Sequence, residues 1–570
     1  MTVEEKYQTW RSKELDDPDL KADLDAVAGK PEEINDRFYR DLTFGTAGLR
    51  GILGAGTNRM NVYTVRKATQ GLANYLNHHK EGQKTPSTAI AYDSRLKSDV
   101  FAREAAAVLV ANGVHVYLYP ELMPTPAISF AVRYLHCDAG ICVTASHNPS
   151  AYNGYKVYGN DGCQIAAEMA DEVMQEIEQT DLFTGVKRIS FEEAQQNGGV
   201  EYISESVTEA FLHSVQAESI YDAHGGNLKV VYTPLNGTGR KCVLEILKRT
   251  GVTDVTVVPE QEWPDGHFPT CPFPNPELRE ALKVGLALCE SVQPDLLLAT
   301  DPDCDRCGVA VRDQGAYTLL TGNEIGILLF DFIAKRRTEL HKMPKNPVLI
   351  STIVSTDMTD VIAPHYGVTV DRVFTGFKNI GDQIAKYEAD GEENRCIFSF
   401  EESNGYLAGT YVRDKDAVNS SMMICAMATY YKQRGQTLIA VLEKLYQQYG
   451  YYLSGLGNFF FEGEDGMKRM QAIMEKLRAS APQEIAGYRI TGRSDYQTSE
   501  RWDGDRKSEI PMGKSNVLEY RMENGTKLLV RPSGTEPKVK VYYLAHAGSR
   551  AETEAMIEKM KEDTGRLLGV

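Results

Sequence analysis

The chain is predicted to be an α/β protein, with three similar α/β domains built on mixed sheets and a smaller C-terminal α+β domain. Three observations lead there. Its 570 residues exceed what one core supports, and about 150 residues per domain gives roughly four domains. Short apolar runs alternate with helix-period segments three times in succession, the pattern of parallel or mixed sheets covered on both faces. From about residue 450 the character shifts to aromatic-rich strands flanking two helices. The expected domain boundaries are 1–207, 208–318, 319–448 and 449–570.

In the first unit, Ser87-Thr-Ala-Ile-Ala-Tyr92 reads as a strand, an Ala-rich stretch near 100–112 as a helix, and Val114-His-Val-Tyr-Leu118 as the next strand. The apolar run Ala139-Gly-Ile-Cys-Val-Thr144 completes the unit as a buried strand. The second unit has strands Leu228-Lys-Val-Val-Tyr232, Val255-Thr-Val-Val258 and Asp295-Leu-Leu-Leu-Ala-Thr300, with a helix near 241–250. The third has Pro347-Val-Leu-Ile-Ser-Thr352, Val368-Thr-Val-Asp-Arg-Val373 and Cys396-Ile-Phe-Ser-Phe400, with a helix near 357–365. In the last domain Leu456-Gly-Asn-Phe-Phe-Phe461 and Val539-Lys-Val-Tyr-Tyr-Leu544 read as strands, and 465–479 and 550–567 as helices. The final strand of each α/β unit ends in polar residues of a different kind. Ligands of open α/β sheets bind outside the carboxyl ends of the strands, so three such edges point to one shared cleft.

Charge and composition exclude several classes. A formal charge of −17 makes nucleic acid and anionic membranes poor partners. Any bound anion must therefore be met by cations gathered locally. No apolar run is long enough to span a bilayer, so no membrane insertion is expected. The segment Met1-Thr-Val-Glu-Glu-Lys-Tyr-Gln-Thr-Trp10 is charged and lacks a signal-peptide core, which makes the cytoplasm the expected compartment. The ten cysteines lie mostly in apolar runs, as Cys142, Cys289 and Cys425 do, and read as reduced buried thiols. Cys304 and Cys307 form a C-x-x-C with no second pair nearby, which argues against zinc.

The first polar strand end is Thr144-Ala-Ser-His-Asn-Pro149, followed in the same loop region by Lys156. It brings a candidate nucleophile, Ser146, together with a proton carrier, His147, and a cation. The second is Asp301-Pro-Asp-Cys-Asp-Arg306. In an extended segment alternate side chains share a face, and three carboxylates there repel unless a cation sits among them. Hard oxygen ligands favour Mg²⁺. An EF-hand is excluded, because Arg306 and Arg312 stand where Gly and Glu are required. The third is Glu401-Glu-Ser-Asn-Gly405, where a carboxylate and a hydroxyl two residues apart suit vicinal sugar hydroxyls. Arg413 and Lys415 add cations nearby. A fourth segment, Arg531-Pro-Ser-Gly-Thr-Glu-Pro-Lys538, offers an Arg fork, the Ser533 and Thr535 hydroxyls, and a turn at Gly534. Such a turn suits phosphate. Glycines around Arg50 permit close backbone approach to a ligand, and Asp93-Ser94-Arg95 offers a further cation. Taken singly these segments also read as an ordinary loop, a solvated acidic turn, a helix cap and a surface hairpin. Together they describe a phosphoryl-transfer site for a sugar phosphate.

These four segments, in this order, resemble the α-D-phosphohexomutase superfamily over almost the whole chain. Phe44-Gly-Thr-Ala-Gly-Leu-Arg-Gly51, Asn153-Gly-Tyr-Lys-Val-Tyr158 and Thr375-Gly-Phe-Lys378 are most similar to the long bacterial phosphoglucomutases and the animal phosphoglucomutase-2 type. The resemblance implies a heart-shaped four-domain arrangement. It implies that Ser146 is the phosphoserine and that Ser146, Asp301, Asp303 and Asp305 hold Mg²⁺. Arg50, His147 and Lys156 then assist catalysis. Glu401 and Ser403 select sugar hydroxyls, and the Arg531, Ser533, Gly534 and Thr535 loop grips the distal phosphate. Arg306, Thr375, Gly376, Lys378, Arg413 and Lys415 are the further expected substrate contacts. The implied reaction interconverts α-D-glucose 1-phosphate and glucose 6-phosphate, with glucose 1,6-bisphosphate as intermediate and primer. Pentose or mannose phosphates handled by the same mechanism are the alternatives. A metal-dependent sugar phosphatase and a catalytically silent sugar-phosphate-binding protein rank below them. The sugar loop departs from the Gly-Glu-Met-Ser-Gly-His and Gly-Glu-Gln-Ser-Gly-His forms of bacterial phosphomannomutase and phosphoglucosamine mutase, which lowers those substrates. Sugar phosphates are the expected partners, and the chain is expected to be a monomer or homodimer.

Overall fold

A computed structural model describes residues 1–46, 48–461, 465–533 and 537–569. Gly534 and Thr535, expected at the distal phosphate, lie outside the described residues. The three α/β units share one plan. In each, the earliest of three parallel strands is central and has a parallel neighbour on either side. These triplets are Ala139–Val143, Ser87–Tyr92 and His115–Leu118; Leu296–Thr300, Lys229–Thr233 and Asp254–Val257; and Cys396–Glu401, Val348–Thr352 and Thr369–Val373.

The strand that carries each functional loop is then followed by an antiparallel return strand. Tyr152–Gly159 returns beside Ala139–Val143, Cys307–Asp313 beside Leu296–Thr300, and Gly405–Leu407 beside Cys396–Glu401. Each loop is therefore the turn of a hairpin, anchored by a hydrogen-bonded ladder at both ends. The mixed sheets follow directly from these hairpins.

Two sequence expectations change here. Lys156 lies on the return strand Tyr152–Gly159, not in the loop, and faces Cys142 across the ladder. The strand is almost wholly buried, so its sequence lacks the apolar–polar alternation that marks a half-buried strand. The aspartate segment is a turn rather than an extended run, with Cys304 in the left-handed region at φ +53°. It is turn geometry, not strand pleating, that brings the three carboxylates together.

Three N-terminal helices, Val3–Ser12, Pro18–Ala26 and Pro31–Phe38, precede the first sheet. The first is started by a capping box in which Thr2 and Glu5 satisfy each other's backbone N–H groups. Its Trp10 is buried edge-on against Phe38 and Tyr63, which docks the helix on the first domain.

The C-terminal sheet is antiparallel throughout. Tyr451–Phe460 pairs along its whole length with Lys538–Ala547, and the helix Arg550–Leu568 packs on both. Its core is separate from a continuous core that joins the three α/β units through helices such as Ala417–Lys432. A smaller apolar seam of Ile353, Val354, Leu529, Tyr542 and Leu544 connects the fourth domain to the third. Asn323 to Ser454 at 2.8 Å and Lys527 to Asp357 at 2.8 Å tie the same seam by polar contacts. All ten cysteines are free and buried, and among the described residues no helix is long and apolar enough to cross a membrane.

Candidate functional site

The carboxyl ends of the three parallel triplets and one face of the fourth domain's sheet enclose a cavity of about 750 Å³. Arg50, Ser146, His147 and Lys156 reach it from the first domain, Asp305 and Arg306 from the second. Thr375, Gly376, Lys378, Glu401, Ser403 and Lys415 line it from the third, and Arg531 from the fourth. Residues separated by almost 500 positions in sequence thus meet in one space.

Ser146 sits at the turn after Ala139–Val143 with φ +53°, a left-handed backbone rarely taken by a residue with a side chain. Its Oγ donates to Asp301 Oδ2 at 3.1 Å and lies 3.1 Å from His147 Nδ1. The candidate nucleophile of the first domain is therefore in contact with the acidic turn of the second. Burial, followed by Arg306 and Arg50, pushes the His147 pKa down and keeps the ring neutral at neutral pH.

Asp301, Asp303 and Asp305 are buried, and one carboxylate oxygen from each lies within 4.8 Å of the others. The cluster is partly neutralised from across the cleft. Lys156 Nζ donates to Asp303 Oδ2 at 2.7 Å and to Asp305 Oδ2 at 3.3 Å, while Lys415 Nζ lies 3.0 Å from Asp305 Oδ2. Burial alone lowers the Lys156 pKa, but Asp303 and Asp305 outweigh it and hold the ammonium charged. Asp301 moves upward, through burial and then through repulsion from Asp303 and Asp305. Asp303 Oδ1 and Asp305 Oδ1 are buried without a hydrogen-bond donor. Two orphaned carboxylate oxygens beside a third acid are what a hard divalent cation fits.

On the third domain, Glu401 ends its strand, and Glu402, Ser403 and Asn404 make the hairpin turn, with Asn404 at φ +58°. Burial raises the Glu401 pKa and Lys415 and Arg306 oppose the rise. Glu402 is pushed up to about 7 by burial and then by Glu401. The folded chain thus holds a proton that the unfolded chain has released above about 4.5, so Glu402 costs stability as pH rises from about 4.5 to about 7. Glu402→Gln is expected to flatten that fall, read as thermal unfolding midpoints across the same pH window.

Arg413 is a correction. It does not line the cavity. Its guanidinium donates to Thr410 O, to Val412 O at 3.2 Å and to Glu388 Oε2 at 2.6 Å, which also receives Arg133. These partners point it away from the cleft, into the seam between the first and third domains. Arg413→Ala is expected to cost about 1–3 kcal/mol of stability through the orphaned carbonyls, with sugar-phosphate affinity unchanged. Chemical denaturation alongside a binding isotherm checks both halves.

Sequence reasoning missed several residues that line the cavity. Lys538 and Lys540 alternate along Lys538–Ala547, and both face the cleft with Arg531. Burial, then Lys538 and Arg531, pushes the Lys540 pKa down. The signal is present in the sequence, since a Lys-x-Lys pair directly after the segment expected to bind phosphate places two cations on one strand face. Glu277, which accepts from Arg306 Nη1 at 2.7 Å, comes from an irregular proline-rich segment that carries no pattern. Asn323 and Asn458 likewise reach the cavity only through tertiary packing.

Comparison with known proteins follows the four-part architecture. The chain matches Phosphoglucomutase/phosphomannomutase alpha/beta/alpha domain I over residues 41–183, domain II over 205–315 and domain III over 321–449. The family's C-terminal domain matches residues 464–562. A phosphoglucomutase from Staphylococcus aureus strain USA300 is 38% identical over 519 residues, covering 90% of each chain. That of strain MRSA252 is 38% identical over 514 residues, again covering 90% of each. Among solved structures, parafusin from Paramecium in its open form superposes with a TM-score of 0.67 at 16% identity, covering 93% of this chain and 97% of that one. A phosphoglucomutase/phosphomannomutase family protein from Burkholderia thailandensis gives 0.66 at 18% identity, covering 92% and 97%. Both likenesses concern the fold.

Proposed function

The chain belongs to the phosphoglucomutase/phosphomannomutase family, and from that footing we propose that it interconverts α-D-glucose 1-phosphate and glucose 6-phosphate. It is an enzyme of the isomerase class, a phosphohexomutase. The observation that carries the reading is the contact of Ser146 Oγ with Asp301 at 3.1 Å, in a cavity that also gathers the sugar-loop residues and Arg531.

In this reading Ser146 enters the cycle phosphorylated. The bond between phosphorus and Ser146 Oγ breaks as one forms to the free hydroxyl of glucose 1-phosphate, giving the 1,6-bisphosphate. The bisphosphate turns in the cleft, and its other phosphoryl group returns to Ser146 Oγ, releasing glucose 6-phosphate. At each transfer the attacking hydroxyl gives up a proton and the leaving oxygen takes one up. His147 Nδ1, 3.1 Å from Oγ, is placed to return a proton to Ser146 Oγ when it leaves and to accept one when Oγ attacks. Lys156, locked between two carboxylates, serves as fixed charge. Arg50 and Arg306 meet the transferring phosphoryl oxygens, Glu401 and Ser403 hold the sugar hydroxyls, and Lys378, Arg531 and Ser533 hold the distal phosphate. Phosphoryl transfer asks the protein mainly for such positioning and charge.

Asp301, Asp303 and Asp305, joined by Ser146, would hold Mg²⁺, which supplies positive charge beside the transferring group. Glucose 1,6-bisphosphate is the primer, because it can load an unphosphorylated Ser146. We place the reaction in the cytoplasm, with sugar phosphates as partners and a monomer or homodimer as the working form.

The test is a mutase assay across glucose, mannose, glucosamine and pentose 1-phosphates, with and without the bisphosphate. Glucose 1-phosphate is expected to turn over fastest and to depend on primer. A preferred pentose phosphate would move the assignment to a phosphopentomutase. Steady release of inorganic phosphate without any primer effect would overturn it in favour of a phosphatase.

A further inference from the structure

Arg95 ends the segment after the central strand of the first domain and was a candidate cation for the cleft. The structure turns it elsewhere. It does not line the cavity, and its side chain is fully buried beneath the loop that carries Ser146. There it donates to four main-chain carbonyls. Nη2 reaches Ser146 O at 2.5 Å and also Asn148 O, while Nη1 reaches Pro149 O at 2.8 Å and Tyr152 O at 3.1 Å. One side chain thus spans the loop from its first turn to the start of the return strand.

The guanidinium is itself held from two directions. Asp93 Oδ2 lies 3.3 Å from Arg95 Nε, and Asp93 Oδ1 accepts from Arg95 N at 2.9 Å and from Ser98 Oγ at 2.7 Å. On the other side stands the second domain. The Phe268 ring centroid is 5.1 Å from the guanidinium carbon, within cation–π range. Gly266 pairs with Arg95 as an isolated bridge. A Cβ at Gly266 would fall 2.5 Å from Leu96 N and 2.7 Å from Ser94 O, so the two backbones meet as closely as glycine permits.

This arrangement answers a local question. A left-handed backbone costs an L-residue about 1–2 kcal/mol, and it persists only where the surroundings over-determine it. Ser146 N donates to Thr144 Oγ1 at 2.8 Å, which fixes one side of the turn. Arg95 fixes the other by satisfying carbonyls that are otherwise costly to bury. The turn so held is the one that delivers Oγ to Asp301.

We propose that Arg95 is a positioning residue for Ser146: it clamps the 146–152 loop so that Oγ faces the carboxylates of the second domain, and Phe268 and Gly266 make that clamp depend on the contact between the first two domains. The proposal rests on the reading of Ser146 as the phosphoryl carrier. Arg95 touches no cavity surface, so it acts through Ser146 and not on the sugar phosphate.

The test begins with Arg95→Lys in the full chain. Lysine keeps the charge but has one ammonium in place of a planar fork, and cannot serve four carbonyls. Small misplacements of a reacting group cost up to about 10²-fold, so kcat is expected to fall by roughly 10- to 100-fold. The KM for glucose 1-phosphate should stay within about threefold, as expected when ground-state binding is untouched. The unfolding midpoint is expected to drop as carbonyls lose their donor, and hydrogen exchange of the amides within 146–152 should quicken by more than that global loss accounts for. Arg95→Ala is expected to lose more, and to recover in part when ethylguanidinium is added, which a general loss of packing would not do. A folded Arg95→Lys protein with parental kcat and unchanged exchange in 146–152 would overturn the clamp. If neither Arg95 variant folds, Phe268→Leu decides. It keeps most of the packed volume and removes the ring face, and a severalfold loss of kcat at constant KM is expected, whereas parental kcat overturns the proposal. Ser146→Ala, assayed in parallel, separates the two readings. Turnover retained there removes the phosphoryl carrier itself, while Arg95 variants with parental kcat remove only the clamp.

Discussion

Ser146→Ala abolishes mutase turnover, by roughly 10⁴-fold or more, the scale of loss when the nucleophile of a covalent cycle is deleted. The expectation follows from where Oγ sits. Among the described residues it is the one hydroxyl in contact with both the acidic turn, through Asp301 at 3.1 Å, and the neutral ring of His147 at 3.1 Å. Removing it leaves the cavity wall, the sugar loop and the cations of the fourth domain in place. Binding of glucose 1-phosphate should therefore persist within about threefold, as for an interaction made only along the reaction path. Ser146→Gly is the matching control. Glycine takes φ +53° at no steric cost, so an equally inactive Gly variant assigns the loss to the missing oxygen and not to strain. The measurements are initial rates with primer, calorimetric binding, and intact mass for the phosphoryl adduct. Near-parental turnover in either variant would remove Ser146 from the carrier role.

Asp303→Asn is expected to lower kcat by about 10²–10³-fold, comparable to losing one preorganised electrostatic group from a closed site, and to abolish saturable Mg²⁺ binding. Asp303 does two jobs. Its Oδ2 receives Lys156 at 2.7 Å and Thr125 Oγ1 at 2.9 Å, and its Oδ1 is buried without a donor. An amide removes the charge that holds Lys156. It also puts a donor N–H₂ where two donors already point, or a neutral oxygen where a cation would bind. Burial, which raises this carboxyl's pKa, is outweighed by Lys156, so the group is ionised in the folded protein. A Mg²⁺ titration followed by calorimetry reads the loss independently of activity. An unchanged isotherm would strike Asp303 from the ligand set.

Much of the placement of this site is legible in the sequence. The strands at Ser87–Tyr92, Leu296–Thr300, Val348–Thr352 and Cys396–Glu401 announce themselves as apolar runs stopped by polar residues. Ser146, Asp301 and Glu401 are recognisable because each stands at such a stop. What stayed hidden depends on long-range geometry. Nothing local says that Arg413 finds Glu388 while Lys415, two positions on, finds Asp305. The return strand carrying Lys156 is buried on both faces and so lost its period. Arg95 looked like a ligand because its charge is visible in sequence and its four carbonyl partners are not. The N-terminal helices are short, and their identity rests on caps and on the burial of Trp10 rather than on a long periodic pattern.

The hairpin plan has a consequence for how such a protein can change. Glu401 pairs with Gly405 across the ladder, so only Glu402, Ser403 and Asn404 lie free between fixed ends. The nucleophile and the acidic turn hang from two other hairpins in two other sheets. On the proposed function, a substitution within those three positions changes what the sugar meets while the reacting groups, held by the other two ladders, keep their register. Recognition and bond-making then rest on separately anchored hairpins, and mutation can explore one while selection holds the other still.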